Sequence, residues 1–111
     1  MQRRLVEVAS ARAGDKGALL DLSLFAADRN AYQRLAAEVT GERVRQHLAP
    51  LGASQVERYE LPRLRALKFV VHGALEGGAA RSLRADNLGK TLGAALLRME
   101  VDWPDAGQEA R

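Results

Sequence analysis

Ser10-Ala11-Arg12-Ala13-Gly14-Asp15-Lys16-Gly17-Ala18-Leu19-Leu20 lies between two apolar, alternating runs, Leu5–Ala9 and Leu19–Ala26. Gly14 and Gly17 bracket Asp15 and Lys16, and glycine admits a left-handed backbone at no steric cost. Turn chemistry between two alternating runs predicts a hairpin with its turn at Ala13–Ala18. That turn would carry one carboxylate and one ammonium at a tip where backbone N–H groups are free. Such a tip can hold an anion, seat against a partner, or be a turn and nothing more.

Upstream of the turn, Arg3–Ala11 reads as the first strand. Val6 and Val8 share one face; Leu5, Glu7 and Ala9 share the other. Downstream, Leu19–Ala27 is the clearest alternation in the chain. Leu20, Leu22, Leu24 and Ala26 point one way, and Leu19, Asp21, Ser23 and Phe25 the other. A strand with one wholly apolar face has to cover it, so helices are expected on that side. Asp21 and Ser23 then belong to the opposite face.

A helix starts at Asp28 or Asn30; Asn30 with Gln33 resembles a capping box. Leu35, Ala36 and Val39 continue its apolar stripe. Thr40-Gly41 interrupts it, and Thr40 can cap a second segment with Glu42 in its first turn. Val44, Leu48 and Leu51 form the buried side of that segment, and Pro50 and Gly52 end it. The reading is one long helix broken near Thr40. Gln55–Leu61 is a third strand closed by Pro62, which cannot donate to a ladder. Ala66–Gly73 is a fourth, with Leu67, Phe69 and Val71 on one face and Ala66, Lys68, Val70 and His72 on the other. After the break at Gly77-Gly78, Asp86 is an N-cap for a last helix bearing Leu88, Leu92, Ala95, Leu96 and Met99. Gly89 and Gly93, four apart, suggest close approach to a neighbour there. Trp103-Pro104 ends the ordered chain, with 105–111 as a frayed tail.

The order strand, strand, helix, strand, strand, helix predicts an α+β two-layer sandwich. Its four-stranded, mainly antiparallel sheet has two helices on one face. No element remains to cover the other face, which bears Asp21, Ser23, Lys68 and His72. Val70 and Phe25 on it favour a partner.

At 111 residues the chain is read as one domain over 1–104. A domain of this size buries enough apolar surface to fold without disulfides or metal. No run of eighteen apolar residues occurs, so no membrane span is expected. Met1-Gln2-Arg3-Arg4 is not followed by a continuous apolar run, so no secretory leader is expected either. Cysteine is absent, which excludes disulfides and thiolate chemistry and fits a cytoplasmic protein. Net charge is +3, from 17 basic and 14 acidic residues. The basic residues are dispersed and aromatics are few, so nucleic-acid binding is not expected.

The candidate site residues fall into three groups. Gly14, Asp15, Lys16 and Gly17 would hold an anion through Lys16 and the loop amides, or form a turn whose Asp bonds its own backbone. Lys68 and His72 share a strand face. His72 is either a proton carrier or a satisfied interface residue, with Asp21 able to pair with either one. Arg81 and Arg84 precede a helix start, where a guanidinium can clamp a carboxylate or phosphate; alternatively they pair with Glu76 or Asp86. His47, late in a helix, reads as a favourable charge at the C-terminal dipole end. Two distant histidines do not make a metal site, and no cofactor is expected.

A set of motifs in order resembles the AtuA-like ferredoxin-fold domain. They are Ala11-Arg12-Ala13-Gly14-Asp15-Lys16-Gly17, Glu57-Arg58-Tyr59-Glu60-Leu61-Pro62, Gly73-Ala74-Leu75-Glu76-Gly77-Gly78, Ser82-Leu83-Arg84-Ala85-Asp86, Gly89-Lys90-Thr91-Leu92-Gly93 and Ala95-Leu96-Leu97. The resemblance runs from about Val6 to Val101 and implies a ferredoxin-like sandwich. In that family the domain is the C-terminal part of acyclic terpene utilisation proteins or a short free-standing chain. The resemblance therefore implies a context of bacterial branched- and terpenoid-acid breakdown as acyl-CoA thioesters. The family pattern has Asn where this chain has Asp21, Arg63 and Lys68.

Two functions follow as expectations. One is a non-catalytic interaction domain or small subunit, self-associating or docking on a larger AtuA-like partner. The other is a small acyl-CoA hydratase or isomerase, or an anion- or carboxylate-binding module, with its site between subunits.

Overall fold

Leu20, Leu22 and Leu24 alternate with Asp21, Ser23 and Phe25, and the strand they form is central to the structure. The computed structural model describes residues 1–16, 19–73 and 90–104. Its elements in chain order are β1 (Gln2–Arg4), β2 (Ala9–Lys16), β3 (Leu19–Ala26), α1 (Arg29–Glu38), α2 (Gly41–Leu48), β4 (Gln55–Leu61), β5 (Ala66–His72), a helix α3 described over 90–97, and β6 (Glu100–Asp102). Short 3₁₀ turns lie at Leu5–Glu7, Ala49–Leu51 and Pro62–Leu64. β2, β3, β5 and β4 form a four-stranded sheet in that order, and β1 and β6 form a separate two-stranded ribbon. Every pairing is antiparallel. The architecture is α+β.

The alternation works as a period of two requires. Leu20, Leu22 and Leu24 of β3 and Leu67, Phe69 and Val71 of β5 are buried. They share one core with Tyr32 and Leu35 of α1, Val44 and Leu48 of α2, and Leu92 and Leu96 of α3. Each such side chain contributes roughly 1.5–3 kcal/mol by leaving water.

Local chemistry sets the helix limits. The Asp28 carboxylate accepts from the Ala31 N–H at 2.8 Å, so Asp28 and not Asn30 is the N-cap of α1. Thr40 Oγ1 accepts from the Arg43 N–H at 3.1 Å and starts α2 afresh. The break expected near Thr40 is therefore a boundary between two helices. Arg58, on β4, donates from Nη1 to the carbonyls of Ala36 at 2.7 Å and Val39 at 3.2 Å. It supplies partners that the end of α1 cannot find within its own helix.

Two expectations are corrected. The single strand Arg3–Ala11 is β1, a 3₁₀ turn and β2. The Glu7 carboxylate accepts from the Arg4 N–H at 2.9 Å and from Arg3 Nη1 at 3.2 Å, closing a turn where alternation suggested a strand. Leu5 is buried there and its N–H donates to the Met99 carbonyl at 2.9 Å. The order of elements thus gains the β1–β6 ribbon and a divided helix over the expected ββαββα. Second, Gly93 makes no close approach among the described residues, for a Cβ there would meet nothing within 4 Å. At the expected end of the domain, Trp103 is buried and its N–H donates to the Met1 carbonyl at 2.8 Å. Leu88, Gly89, the Asp86 cap and the tail 105–111 lie outside the described residues.

Candidate functional site

Strand register places the candidate side chains on the sheet face opposite the core. Arg12, Ser23, Lys68 and Tyr59 are successive partners across β2, β3, β5 and β4. Gly14, Asp21, Val70 and Glu57 form the next row. His72 follows Val70 by two residues on β5, opposite Gln55. Asp21, Ser23, Lys68 and His72 are thereby brought together, all half-buried, as are Phe25 and Val70 beside them.

The hairpin is not built as its sequence suggested. Pairing between β2 and β3 continues through Gly14↔Asp21 and Asp15↔Leu20 to Lys16↔Leu19. The backbone of Gly14, Asp15 and Lys16 is therefore strand, and Gly14 is not among the positive-φ residues. Ala13, Gly14, Asp15 and Lys16 thus belong to the ladder and not to the turn. Gly17, Arg81 and Arg84 lie outside the described residues.

A hydrogen-bonded set on β4 and β5 was not legible as a site beforehand. Tyr59 Oη donates to Glu57 Oε1 at 2.6 Å, and His72 Nε2 lies 2.5 Å from Glu57 Oε2. Tyr59 is two residues from Glu57 on the same strand face, and His72 is its diagonal neighbour on β5, within reach across an antiparallel pair. The Tyr59 hydroxyl, and after it the His72 ring, holds the Glu57 carboxyl below its ordinary value. The same bond and the Glu57 charge push the Tyr59 phenol up. An ionised carboxylate only accepts, so His72 donates from Nε2–H and Nδ1 is the ring nitrogen left for other partners. The group is open to water, with Glu57 39% and His72 31% exposed at the side chain. It can orient an imidazole and exchange a proton.

Beside it, the side chains of Arg12, Asp21, Ser23 and Lys68 make no hydrogen bond or ion pair among the described residues. The Asp21 carboxylate lies over Gly14: a Cβ built there would stand 3.3 Å from Oδ1. His47 lies in the last turn of α2, as its sequence position suggested. Its Nε2 lies 2.6 Å from the Ala95 carbonyl, tying α2 to α3. It borders a shallow cleft of about 320 Å³ with Arg43, Gln46, Met99 and Glu100. Arg43 there is engaged by the carbonyls of Glu38 and Glu100 at 2.8 and 2.7 Å. Among the described residues no three His, Asp or Glu side chains converge as metal ligands, and no helix is long and apolar enough to cross a membrane.

Fold and face together define an α+β domain with an antiparallel sheet whose polar side carries a carboxylate–imidazole pair. The chain matches the AtuA ferredoxin-like domain over residues 3–102 and belongs to that family. No curated protein and no solved structure matches it. Of the three positions where the family resemblance implies Asn, Asp21 and Lys68 lie on this face, and Arg63 is exposed in the turn after β4.

Proposed function

We propose that the chain is a non-catalytic interaction domain or accessory subunit of an AtuA-type assembly in branched- or terpenoid-acid catabolism. It docks on a larger AtuA-type polypeptide through the open sheet face. The observation that carries this reading is the position of Phe25 and Val70. Both sit half-exposed on the two central strands, facing away from the core, within a ring of polar groups. Apolar centre and polar rim is the composition of a protein interface. Light scattering of the purified chain mixed with an AtuA-type large protein tests it. A complex that forms with the parent and fails with Val70→Glu is expected; no complex with the parent overturns it.

A second reading is favoured by one observation, the Glu57–His72–Tyr59 set. In it the chain is a small acyl-CoA hydratase or isomerase, or an acyl-CoA- or carboxylate-binding module, completed at a subunit interface. His72 would be the proton carrier and Lys68 the charge facing the thioester or carboxylate. Thermal-shift measurement with acyl-CoAs decides it. Stabilisation of the parent that disappears in His72→Gln supports this reading, and indifference of both proteins removes it.

A further inference from the structure

β2 is an edge strand: in the sheet order β2–β3–β5–β4, no strand among the described residues pairs with its outer side. It matches β3 residue for residue from Ala9↔Ala26 to Lys16↔Leu19, with no bulge, and holds no proline. Ser10, Arg12 and Ala13 are exposed along it. A long unbroken edge presents a row of free backbone donors and acceptors, which sheets usually blunt. The opposite edge, β4, ends at Pro62 and spends Arg58 on the helix layer.

Gly14 is the odd residue in this strand. It has no positive φ to justify it, and glycine inside a strand weakens the strand unless something approaches closely. What approaches from its own chain is the Asp21 carboxylate, 3.3–3.5 Å from where a Cβ would stand. Asp21 therefore leans over Gly14 towards the edge, without an ion-pair partner among the described residues. Arg12, on the same face two residues away, likewise has no hydrogen-bond or ion-pair partner among the described residues.

We propose that β2 pairs antiparallel with β2 of a second copy about a two-fold axis at Ala13. Arg12 of each copy then reaches across Gly14 of the other to its Asp21. Two-fold pairing of identical strands sets residues of the same parity opposite each other, so the neighbouring registers are few. An axis at Arg12 sets guanidinium against guanidinium. An axis at Gly14 sets Arg12 against the lysine at position 16. Like charges directly opposite destabilise a ladder. An axis at Ala13 sets Arg12 opposite Gly14, and only the glycine stands between it and Asp21 on the next strand. Strands are about 4.8 Å apart, a gap the long arginine stem spans. A side chain at position 14 would stand in that path. The two four-stranded sheets become one continuous sheet, with the charge pair repeated on both sides of the axis.

Sedimentation equilibrium over a wide concentration range tests this. The parent is expected to dimerise. Arg12→Glu and Asp21→Lys each raise the dissociation constant by about tenfold or more, and the double swap restores the dimer. Circular dichroism unchanged in Arg12→Glu shows that the loss is of pairing and not of folding. Val70→Glu leaves the dimer intact, which separates this edge from docking through the sheet face. A parent that stays monomeric, a double swap no better than either single change, or a dimer lost in Val70→Glu and kept in Arg12→Glu overturns the proposal.

Discussion

On β3 and β5, residues one position apart live in different solvents. Leu67, Phe69 and Val71 are at most 1% exposed, while Lys68, Val70 and His72 between them are half-exposed. β3 repeats the arrangement with Leu20, Leu22 and Leu24 against Asp21, Ser23 and Phe25. On the core face volume decides what is tolerated, because interiors are close-packed. On the open face no such constraint operates, and residue chemistry is free to serve a partner or ligand. The backbone ladder is common to both, so stability measurements report on one face and binding measurements on the other.

The largest expected effect tests that division directly. Phe69→Ala removes a fully buried aromatic ring and is expected to cost about 3–5 kcal/mol in urea unfolding. Val70→Ala, the next residue, is expected to cost about 1 kcal/mol or less, since its side chain already meets water on the open face. Equal losses at every protein concentration would mean that the chain covers its own open face, and the contrast between faces would fail.

Arg58 sharpens the comparison by breaking its pattern. It shares the core face of β4 by register with Phe69, yet it is charged, and only 22% of its side chain is exposed. Its two bonds to the carbonyls ending α1 make it a clasp between sheet and helices. Arg58→Met keeps the stem and removes the guanidinium, and a loss of about 1.5–3 kcal/mol is expected. Glu60, its more exposed ion-pair partner at 2.8 Å, contributes little: Glu60→Gln should stay within about 0.5 kcal/mol. A Glu60 effect as large as that of Arg58 would place the stability in the ion pair and not in the carbonyl bonds.

What the sequence made legible follows the same division. Strong alternation located β3 and β5, and the cap at Thr40 marked the helix break, because both signals are local. The end of β2 was misread because Gly14 and Asp15 are common turn residues, whereas cross-strand pairing holds them extended. Arg3–Glu7 failed because the Glu7 carboxylate closes a turn that apolar spacing does not record. Asp21, Ser23, Lys68 and His72 could be assigned to one face by parity alone. Glu57 could not be assigned to His72, for that depends on register between β4 and β5. The turn at Pro62–Leu64 fixes that register, with Arg65 in the left-handed region at φ 52°. A non-glycine residue rarely adopts that conformation, and nothing in Leu61–Ala66 announces it.

The smallest effect belongs to that missed set, and its sign is what matters. Glu57 has its folded pKa below the ordinary 4.5, chiefly through the Tyr59 hydroxyl and then His72. A depressed carboxyl contributes stability above its unfolded value and loses it as pH falls through the folded one. Tyr59 is shifted the other way, above its ordinary 10.0, by the Glu57 bond and charge. Its contribution is complete below that value and fades as pH rises through the folded one, where phenolate would face carboxylate. The difference in stability between the parent and Glu57→Gln should therefore be flat between about pH 4.5 and 10 and shrink at both ends. Urea midpoints at acidic, neutral and strongly basic pH measure it. Parallel profiles would mean that the three side chains do not hold one another in solution. The open face would then contribute nothing to the fold, and His72 would lack the carboxylate that orients its ring.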